Sequence, residues 1–251
     1  MPAPTVAREL VDKNVLVTGA TGFIGSHLVQ KLSAAGAQVT AVGPALGWRP
    51  TVPSLVRQGR VRFVKLEAYW NPTSLRRLEP YMEGTNYVVH LGYTMPQGRN
   101  SLEKAISDLR RNVLGTLRLA QHIPDSVSKY CFASSVMVYG CHPPQPVSET
   151  DPPSPVSAYA AGKLAAETYL RFHAEKTDLP LSILRLATVY GPMETDPRAI
   201  PNFIRQVLAG RPPIIYGCGN DIRDYVHIDD VIAAIMLALT KQSTIPQVYN
   251  I

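Results

Sequence analysis

Residues 14–25 read Asn-Val-Leu-Val-Thr-Gly-Ala-Thr-Gly-Phe-Ile-Gly. The segment Asn14–Thr18 is apolar without alternation, which is typical of a parallel strand covered on both faces. Three glycines follow it and open a predicted helix, Gly22–Ala35, which Gly36 ends. Glycines here permit a tight turn and let backbone N–H groups approach a pyrophosphate at the positive end of the helix. The stretch therefore predicts a dinucleotide-binding strand–turn–helix unit, and the preceding strand disfavours the alternative of a plain helix-entry turn.

Outside this stretch, short β-branched runs alternate with longer helical segments. Strands are predicted near Val39–Val42, Val61–Lys65, Tyr87–Leu91, Tyr130–Ser134, Leu181–Leu186 and Val248–Ile251. Helices are predicted near Thr73–Tyr81, Leu102–His122, Val156–Lys176 and Asp229–Thr240. This alternation predicts an α/β fold with a doubly wound parallel sheet, the Rossmann fold.

The alternation breaks after Leu186, where segments punctuated by glycine and proline replace it. We therefore expect a dinucleotide-binding domain over residues 1–186. Residues 187–251 are expected to contribute substrate-binding elements and then to return to the sheet.

The charge balance points to an anionic ligand. The 251 residues carry 25 Lys and Arg against 19 Asp and Glu, a formal net charge of +6. The basic residues are nevertheless scattered, and their densest clusters are the pairs Arg76-Arg77 and Arg110-Arg111. Nucleic acid is therefore not an expected partner.

Cysteine usage and apolar runs bear on the compartment. Cys131, Cys141 and Cys218 form no CxxC pair, so neither a disulfide framework nor a metal site is expected. The segment Met1–Asn14 carries charged side chains and no apolar core of a signal peptide. The longest apolar stretch, Val231–Leu239, is far too short to span a bilayer. The sequence thus predicts a cytoplasmic protein with no membrane partner.

Two polar pairs are candidates for chemistry. Tyr159 and Lys163 lie four residues apart on a predicted helix, which places both side chains on one face. A nearby ammonium lowers the pKa of a tyrosine and would make Tyr159 an acid/base near neutral pH, although this spacing also occurs by accident on solvated helices. Ser134 and Ser135 end a predicted strand, at the edge where open α/β sheets place ligands. Ordinary turn residues are the alternative there.

Six stretches follow one another in the order of a known pattern and together cover most of the chain. They are Thr18–Gly25, Asn112–Thr116, Ser134–Gly140, Tyr159 with Lys163, Arg185 with Val189–Pro192, and Arg223–Asp230. The chain thereby resembles the extended short-chain dehydrogenase/reductase family, in its NAD-dependent sugar-nucleotide epimerase/dehydratase branch. This resemblance implies NAD as cofactor and a nucleotide-sugar as substrate.

The resemblance also implies roles for individual residues. Tyr159 would be the catalytic acid/base, Lys163 its catalytic partner, and Ser135 the catalytic hydroxyl that holds the sugar oxygen. The residues that would bind the cofactor are Gly19, Thr21, Gly22, Phe23, Ile24, Gly25, Glu67, Ala68, Leu91, Gly92, Asn112, Ser134, Tyr159, Lys163 and Ala187. The residues that would bind the substrate are Ser135, Thr188, Asn202 and Arg223. Among these, Asn112 would support both cofactor and lysine, and Arg223 would grip the diphosphate with its guanidinium fork.

Three positions depart from the family pattern. Gly43 ends the second strand where an acid would bond the adenosine ribose, so NADP is an alternative cofactor, with Arg49 near its 2′-phosphate. Glu67 stands in place of an adenine-side aspartate, and Thr188 in place of an asparagine.

The two residues after Ser135 distinguish between the reaction types of the branch. Dehydratases of the family carry titratable groups there, and decarboxylases keep a glutamate. Here the residues are Val136 and Met137, which cannot transfer a proton. The resemblance therefore implies an epimerase that acts at C4 through a transient 4-keto intermediate. An NADPH-dependent keto-sugar reductase and a non-catalytic dinucleotide-binding protein remain as alternatives.

Two further expectations come from the resemblance. Relatives usually continue past the position of Ile251 into helices that close over the sugar, so the small C-terminal substrate-binding portion looks incomplete. A natural absence and a partial sequence are both left open. Relatives often pair through two helices, here Ser101–Gln121 and Tyr159–Glu175, so a homodimer is expected.

Overall fold

A computed structural model describes residues 4–94, 102–141, 145–220, 222–241, 243 and 245–251 of the chain. Its strands are β1 (Asn14–Thr18), β2 (Gln38–Gly43), β3 (Val61–Lys65), β4 (Tyr87–His90), β5 (Lys129–Ser135), β6 (Leu181–Leu186), β7 (Thr188–Tyr190), β8 (Tyr225–His227) and β9 (Gln247–Asn250). Its helices are α1 (Pro4–Glu9), α2 (Phe23–Ala34), α3 (Thr51–Arg57), α4 (Pro72–Leu75), α5 (Glu79–Met82), α6 (Leu102–Asp108), α7 (Leu114–Gln121), α8 (Ala158–Thr177), α9 (Ala199–Leu208) and α10 (Ile228–Thr240). A π-helical turn, Leu109–Val113, joins α6 to α7, and a 3₁₀ turn, Val136–Tyr139, follows β5.

Within the described residues, one sheet contains seven parallel strands in the order β3-β2-β1-β4-β5-β6-β9. The chain runs outward from β1 to β3 on one side and restarts beside β1 with β4 on the other. The strand order therefore reverses between β1 and β4, and the loops that leave their carboxyl ends border a crevice, which is where open α/β sheets bind ligands. The predicted doubly wound sheet is confirmed, and each of its seven predicted strands forms.

Both faces of β1 are covered, which explains why its sequence does not alternate. Val15 and Val17 point into one core cluster, which includes Leu32 of α2 and Ile235 of α10. Leu16 points into the other cluster, which includes side chains of α7 and α8. Each face is thus sealed by helices, and the strand needs apolar side chains on both.

Two predicted helices differ in detail from the observed ones. The segment predicted over Thr73–Tyr81 forms two short helices, α4 and α5, because Pro80 removes a backbone donor and crowds the turn before it. The segment predicted over Leu102–His122 is interrupted by the π-helical turn. Ser101, the first residue of one expected dimer helix, lies outside the described residues.

The C-terminal part contains elements that the sequence patterns did not reveal, β7, β8 and α9. β7 pairs with β8 in a small parallel sheet, with Thr188 opposite Tyr225. α10 then packs against α2, and β9 joins β6 in the main sheet. The expected return to the sheet is thus observed, and the division at residue 186 stays a prediction.

Candidate active site

The loop that follows β1 lies directly against the loop that follows β4. Gly19 has a φ of +65°, and a Cβ at this position would lie 2.8 Å from main-chain atoms of Leu91 and Gly92. A Cβ at Gly25 would overlap with the carbonyl oxygen of Gly19. Only glycine fits at these two positions, so the backbones can approach each other and leave open space above the strand ends.

The first turn of α2 faces that space. Gly22 is the N-cap of α2, and Gly22, Phe23 and Ile24 line the cleft above the sheet. The first N–H groups of a helix have no partner inside the helix, and the positive end of the helix dipole lies there. A close-packed glycine turn with free donors at a helix start fits the pyrophosphate of a dinucleotide.

A buried histidine holds these two loops in place. His90, the last residue of β4, bonds through Nδ1 to Thr18 Oγ1 at 2.6 Å and through Nε2 to Thr116 Oγ1 at 2.9 Å. The N–H of Gly92 donates to the same Thr18 hydroxyl at 3.1 Å. Burial lowers the pKa of His90 to about 3, so the ring is neutral. It therefore acts as an uncharged bridge between β1, β4 and α7.

Ser135, Tyr159 and Lys163 meet at the carboxyl end of β5. Ser135 ends the strand, and its hydroxyl accepts from the N–H of Met137 at 3.2 Å. Ser157 caps α8 and so places Tyr159 in the first turn of that helix, with Lys163 one turn later. All three predicted catalytic side chains line the cleft. The i,i+4 spacing and the strand end thus converge as the sequence predicts.

Lys163 is 4% exposed and its ammonium is held by the protein interior. Nζ donates to the carbonyl oxygen of Ala133 at 2.7 Å and lies 4.3 Å from the ring centre of Tyr93 and 4.9 Å from that of Phe132. Burial lowers the pKa of Lys163 to about 7, against the opposing effects of Asp108 and Glu167.

The pKa of Tyr159 differs from the sequence-based prediction. Burial raises the pKa of the phenol, whereas a lowered value was expected from its lysine neighbour. Hydrogen bonding to Ser135 and the charge of Arg198 lower the pKa, and the charge of Asp108 raises it, but burial is the largest effect. The prediction of a lowered pKa was wrong because the buried phenol loses the water that would stabilise its anion.

Ser134 takes part in a buried polar network rather than a simple turn. Its hydroxyl donates to the carboxylate of Glu167, which forms a 2.7 Å ion pair with Arg185. Arg185 also donates to the hydroxyl of Tyr139 at 2.7 Å, and that hydroxyl donates to Asn250 Oδ1 at 2.8 Å. The network connects β5, α8, β6 and β9 below the cleft.

The cleft above the strand ends has a volume of about 990 Å³. The predicted site residues that line it are Gly19, Gly22, Phe23, Ile24, Gly25, Leu91, Ser134, Ser135, Tyr159, Lys163, Ala187, Thr188, Asn202 and Arg223. Five predicted cofactor residues lie outside this lining, namely Thr21, Glu67, Ala68, Gly92 and Asn112.

Among those five, the side chains of Asn112 and Glu67 have well-defined partners. The side chain of Asn112 donates to Thr94 O at 2.9 Å and to Asp108 Oδ1 at 2.6 Å, and it accepts from the N–H of Thr94 at 2.8 Å. Its amide thus fastens the loop after β4 to the π-helical turn. Glu67 is exposed and forms a 2.9 Å ion pair with Lys65.

The C-terminal segment contributes predicted substrate residues to the lining of the cleft. Pairing of β7 with β8 brings Thr188 and Arg223 to the same wall of the cleft. Asn202 lies on α9 and donates to the carbonyl oxygen of Pro197 at 3.0 Å.

Glu194 and Arg198 are charged residues of this wall that the sequence analysis missed, and Asp196 is a third. Glu194 has a side chain that is 3% exposed, its Oε2 has no hydrogen-bond partner among the described residues, and burial raises its pKa. Arg198 lies 3.6 Å from Glu194 Oε1 and 3.5 Å from Asp196 Oδ2. All three residues line the cleft.

Gly43 and Arg49 lie near the expected adenosine end. A Cβ at Gly43 would lie 3.0 Å from Thr21 Oγ1. Arg49 stacks 4.7 Å from the ring centre of Trp48 and donates to Met193 O at 3.4 Å and Thr195 Oγ1 at 3.5 Å. Its guanidinium is thus engaged with the segment that follows β7.

The described part of the chain contains no group of three or more His, Cys, Asp or Glu side chains that could hold a metal ion. In the same residues, none of the helices combines the length and the apolar character that a membrane span requires.

A family model, that of the NAD dependent epimerase/dehydratase family, matches residues 15–251. The chain belongs to this family. UDP-glucose 4-epimerase of Mycolicibacterium smegmatis is 37% identical over 232 residues, covering 89% of this chain and 72% of that protein. Among solved structures, UDP-glucose 4-epimerase of Thermotoga maritima with UDP-glucose is 32% identical, with a TM-score of 0.81 over 95% of this chain and 76% of that chain. UDP-glucuronic acid 4-epimerase of Bacillus cereus, in complex with UDP-glucuronic acid and NAD, is 30% identical, with a TM-score of 0.81 over 95% of this chain and 77% of that chain.

These similarities confirm several sequence-based predictions. The resemblance to the NAD-dependent epimerase/dehydratase branch is confirmed, and so is the prediction of an enzyme of that family, for which an epimerase fits better than a dehydratase. NAD as cofactor agrees with the family and with solved relatives that contain it. The roles of the individual site residues, the homodimer and a cytoplasmic location stay predictions.

Sequence signals for the missed residues were weak but present. Glu194 and Arg198 lie in a short segment after the family motif Val189–Pro192, where every second residue from 194 to 198 is charged. His90 is the last residue of the otherwise apolar strand β4, a position from which a side chain reaches the strand ends. The burial that gives these residues their character depends on tertiary contacts.

Proposed function

We propose that this chain is a nucleotide-sugar 4-epimerase that uses NAD and inverts the sugar at C4 through a transient ketone. The observation that carries the proposal is the convergence of Ser135, Tyr159 and Lys163 at one edge of a cleft whose other side is the glycine turn Gly19–Gly25. Bound NAD would supply a reversible hydride acceptor beside the sugar. Both reaction directions would use the same side chains, so no net cofactor is consumed.

In this mechanism Tyr159 takes the proton of the 4-hydroxyl as the carbon is oxidised, and returns it when the ketone is reduced on the other face. Ser135, at the end of β5, holds the sugar oxygen by a hydrogen bond. Lys163, fixed by Ala133, favours the phenolate through its positive charge. Because burial raises the pKa of Tyr159, these partners must offset the cost of a buried phenolate for the proton transfer to proceed.

The glycine turn and the first turn of α2 would hold the cofactor pyrophosphate, together with the other predicted residues on that side of the cleft. Asn112 would contribute indirectly, because its amide fastens the loop after β4 to the π-helical turn. Gly43, next to Thr21, would face the adenosine ribose.

The opposite wall would bind the nucleotide-sugar. Arg223 and Asn202 would contact its diphosphate, and Thr188 would lie beside the sugar. A UDP-hexose is the substrate class that we propose, because the relatives from M. smegmatis and T. maritima are UDP-glucose 4-epimerases. In place of the acid and base of dehydratases, Val136 and Met137 line the cleft after Ser135, which supports epimerisation without loss of water.

A homodimer is part of the same proposal. The helices expected to pair carry large apolar side chains on the surface, at Leu102, Ile106, Leu109, Tyr169 and Phe172. Phe172, for example, is 60% exposed. Burial of such apolar side chains would stabilise association, and sedimentation velocity of the purified chain would test it.

The test of the function is an assay with UDP-glucose deuterated at C4 of the sugar. We expect conversion to the C4 epimer with the deuterium retained, because the same hydrogen leaves and returns at C4. Mass spectrometry should detect NAD that is released when the purified protein is denatured. Release of NAD without conversion of UDP-glucose, UDP-galactose or UDP-glucuronic acid would contradict the epimerase and favour a dinucleotide-binding protein.

A further inference from the structure

A buried carboxylate lies beside the helix that carries Tyr159 and Lys163. Asp108, at the end of α6, is 3% exposed. Its Oδ1 accepts from the hydroxyl of Tyr93 at 2.5 Å and from Asn112 Nδ2 at 2.6 Å. Its Oδ2 is buried with no hydrogen-bond partner among the described residues. Leaving a buried carboxylate oxygen without a hydrogen-bond partner costs free energy.

That oxygen faces the turn of α8 between the two catalytic candidates. A Cβ built at Gly162 would overlap with Asp108 Oδ2. Gly162 lies between Tyr159 and Lys163 in sequence, so the carboxylate packs against the backbone that carries both side chains. Glycine at this position is what allows the negative charge to come so close.

Tyr93 connects the carboxylate to both side chains. Its hydroxyl is anchored on Asp108, and its ring centre lies 4.3 Å from Lys163 Nζ. The ring also packs edge-to-face on Tyr159, with ring centres 5.0 Å apart. An ammonium over an aromatic face is attracted by the ring electrons, so the Tyr93 ring is a support for the lysine charge.

We propose that Asp108 and Tyr93 are a positioning pair that holds Lys163 in its ammonium form and keeps Tyr159 and Lys163 in register. The proposal rests on the epimerase function proposed above. Tyr93 acts by contact with both side chains, and Asp108 acts by its charge and by anchoring the Tyr93 hydroxyl.

The neighbouring charges support this assignment. The titratable and charged groups that face Lys163 are Asp108 from α6, His90 from β4, Tyr93 from the loop after β4, and Tyr159 and Glu167 from its own helix. His90 is neutral, and Glu167 is already paired with Arg185. Asp108 is therefore the carboxylate in this set without a cationic side chain bonded to it, and its charge raises the pKa of Lys163 against the effect of burial.

The test is the pH profile of kcat/KM in Asp108→Asn. The amide keeps an oxygen for Tyr93 and Asn112 but removes the negative charge. Because that charge raises the pKa values of both Lys163 and Tyr159, we expect the acid and alkaline limbs to move to lower pH, each by about 0.5–1 unit. The matched control, Asp125→Asn, alters an exposed carboxylate in the loop before β5 and should leave both limbs in place. A lower rate with unmoved limbs would mean that Asp108 only packs, and would overturn the proposal.

The substitution Tyr93→Phe removes the hydrogen bond from the Tyr93 hydroxyl to Asp108 but keeps the aromatic ring. The ring face under Lys163 and the charge of Asp108 are both retained. We therefore expect the two limbs of the pH profile to keep their positions while kcat falls severalfold. Unchanged kcat would remove Tyr93 from the pair. Should Asp108→Asn fail to fold, Asp108→Ser, which is smaller and also uncharged, carries the same expectation for the limbs.

A measurement that needs no substrate tests the positioning pair independently of the proposed epimerase function. NMR titration of ¹³Cε-labelled lysine, with the Lys163 signal assigned from Lys163→Met, reports the pKa of Lys163 directly. We expect a lower value in Asp108→Asn than in the unaltered protein. If no UDP-sugar is turned over but this difference is found, the proposed function fails and the pair stands. If turnover is found and the pKa of Lys163 is the same in both proteins, the positioning pair is contradicted and the epimerase function stands.

Discussion

Lys163 Nζ donates a 2.7 Å hydrogen bond to the carbonyl oxygen of Ala133. This bond fastens α8 to the carboxyl end of β5, two residues before Ser135. Tyr159, one helical turn earlier, is thereby brought over the strand end, where both side chains line the cleft. The relative position of the helix and the strand thus depends on a side chain that also contributes charge to the site.

Replacing Tyr159 by Phe removes the proposed proton acceptor and keeps the ring that packs on Tyr93. Turnover should fall by roughly 10²–10⁴-fold, the usual contribution of a positioned acid or base. NAD affinity, measured by calorimetry, and the melting temperature should stay close to those of the unaltered protein. Near-normal turnover in this variant would exclude Tyr159 as the acid/base.

Arg223→Ala should weaken binding of a nucleoside diphosphate by about 1.5–3 kcal/mol, the range for a hydrogen bond to a charged group. NAD affinity should barely change, because the cofactor is expected at Gly19–Gly25. Arg211→Ala, which removes an exposed arginine from the same segment, serves as control. Calorimetry with UDP tests all three proteins, and equal affinity in Arg223→Ala and the control would place the diphosphate elsewhere.

Gly43→Asp introduces a carboxylate where the ribose 2′-hydroxyl is expected. It should raise the ratio of NAD to NADP affinity by at least about tenfold, because a carboxylate facing a 2′-phosphate costs several kcal/mol. A Cβ here lies 3.0 Å from Thr21 Oγ1, so the new side chain also displaces that hydroxyl. Gly43→Asn has the same shape without the charge, and a similar ratio in both variants would attribute the effect to crowding.

Lys163 should give the folded protein a distinct dependence on pH. Burial lowers its pKa from 10.5 to about 7, so between these values the unfolded chain binds more protons than the folded one. The free energy of unfolding should therefore rise with pH in this window, by up to about 1.4 kcal/mol per pH unit from this group. Lys163→Met removes the contribution while other groups cancel in the comparison. Urea unfolding at pH 7 and pH 9 measures it, and parallel pH dependence in both proteins would show that burial does not lower the pKa of Lys163.

The central strands of the main sheet were predictable from the sequence because they are covered on both faces, as the fully buried β5 and β6 show. Burial on both faces requires an uninterrupted apolar run, as in Asn14–Thr18. Such a run can be recognised from the sequence alone. The small sheet was missed because its strands, β7 and β8, have only three residues each. Within the described part of the chain they pair only with each other, and they lie far apart in the sequence. α9 was missed although its apolar residues recur at helical spacing, and none of its side chains is fully buried.

The sequence by itself determined the fold class, the glycine turn at Gly19–Gly25 and the candidate set Ser135, Tyr159 and Lys163. The glycine turn follows from local rules, because glycines at a helix start are a property of neighbouring residues, whereas the three side chains were assigned through the resemblance to the family. Only the tertiary structure decided their electrostatics. The pKa of Tyr159 is raised, and Asp108 packs against Gly162, because both depend on burial between elements far apart in the chain. Desolvation is a property of the packed interior, and no single segment of sequence contains it.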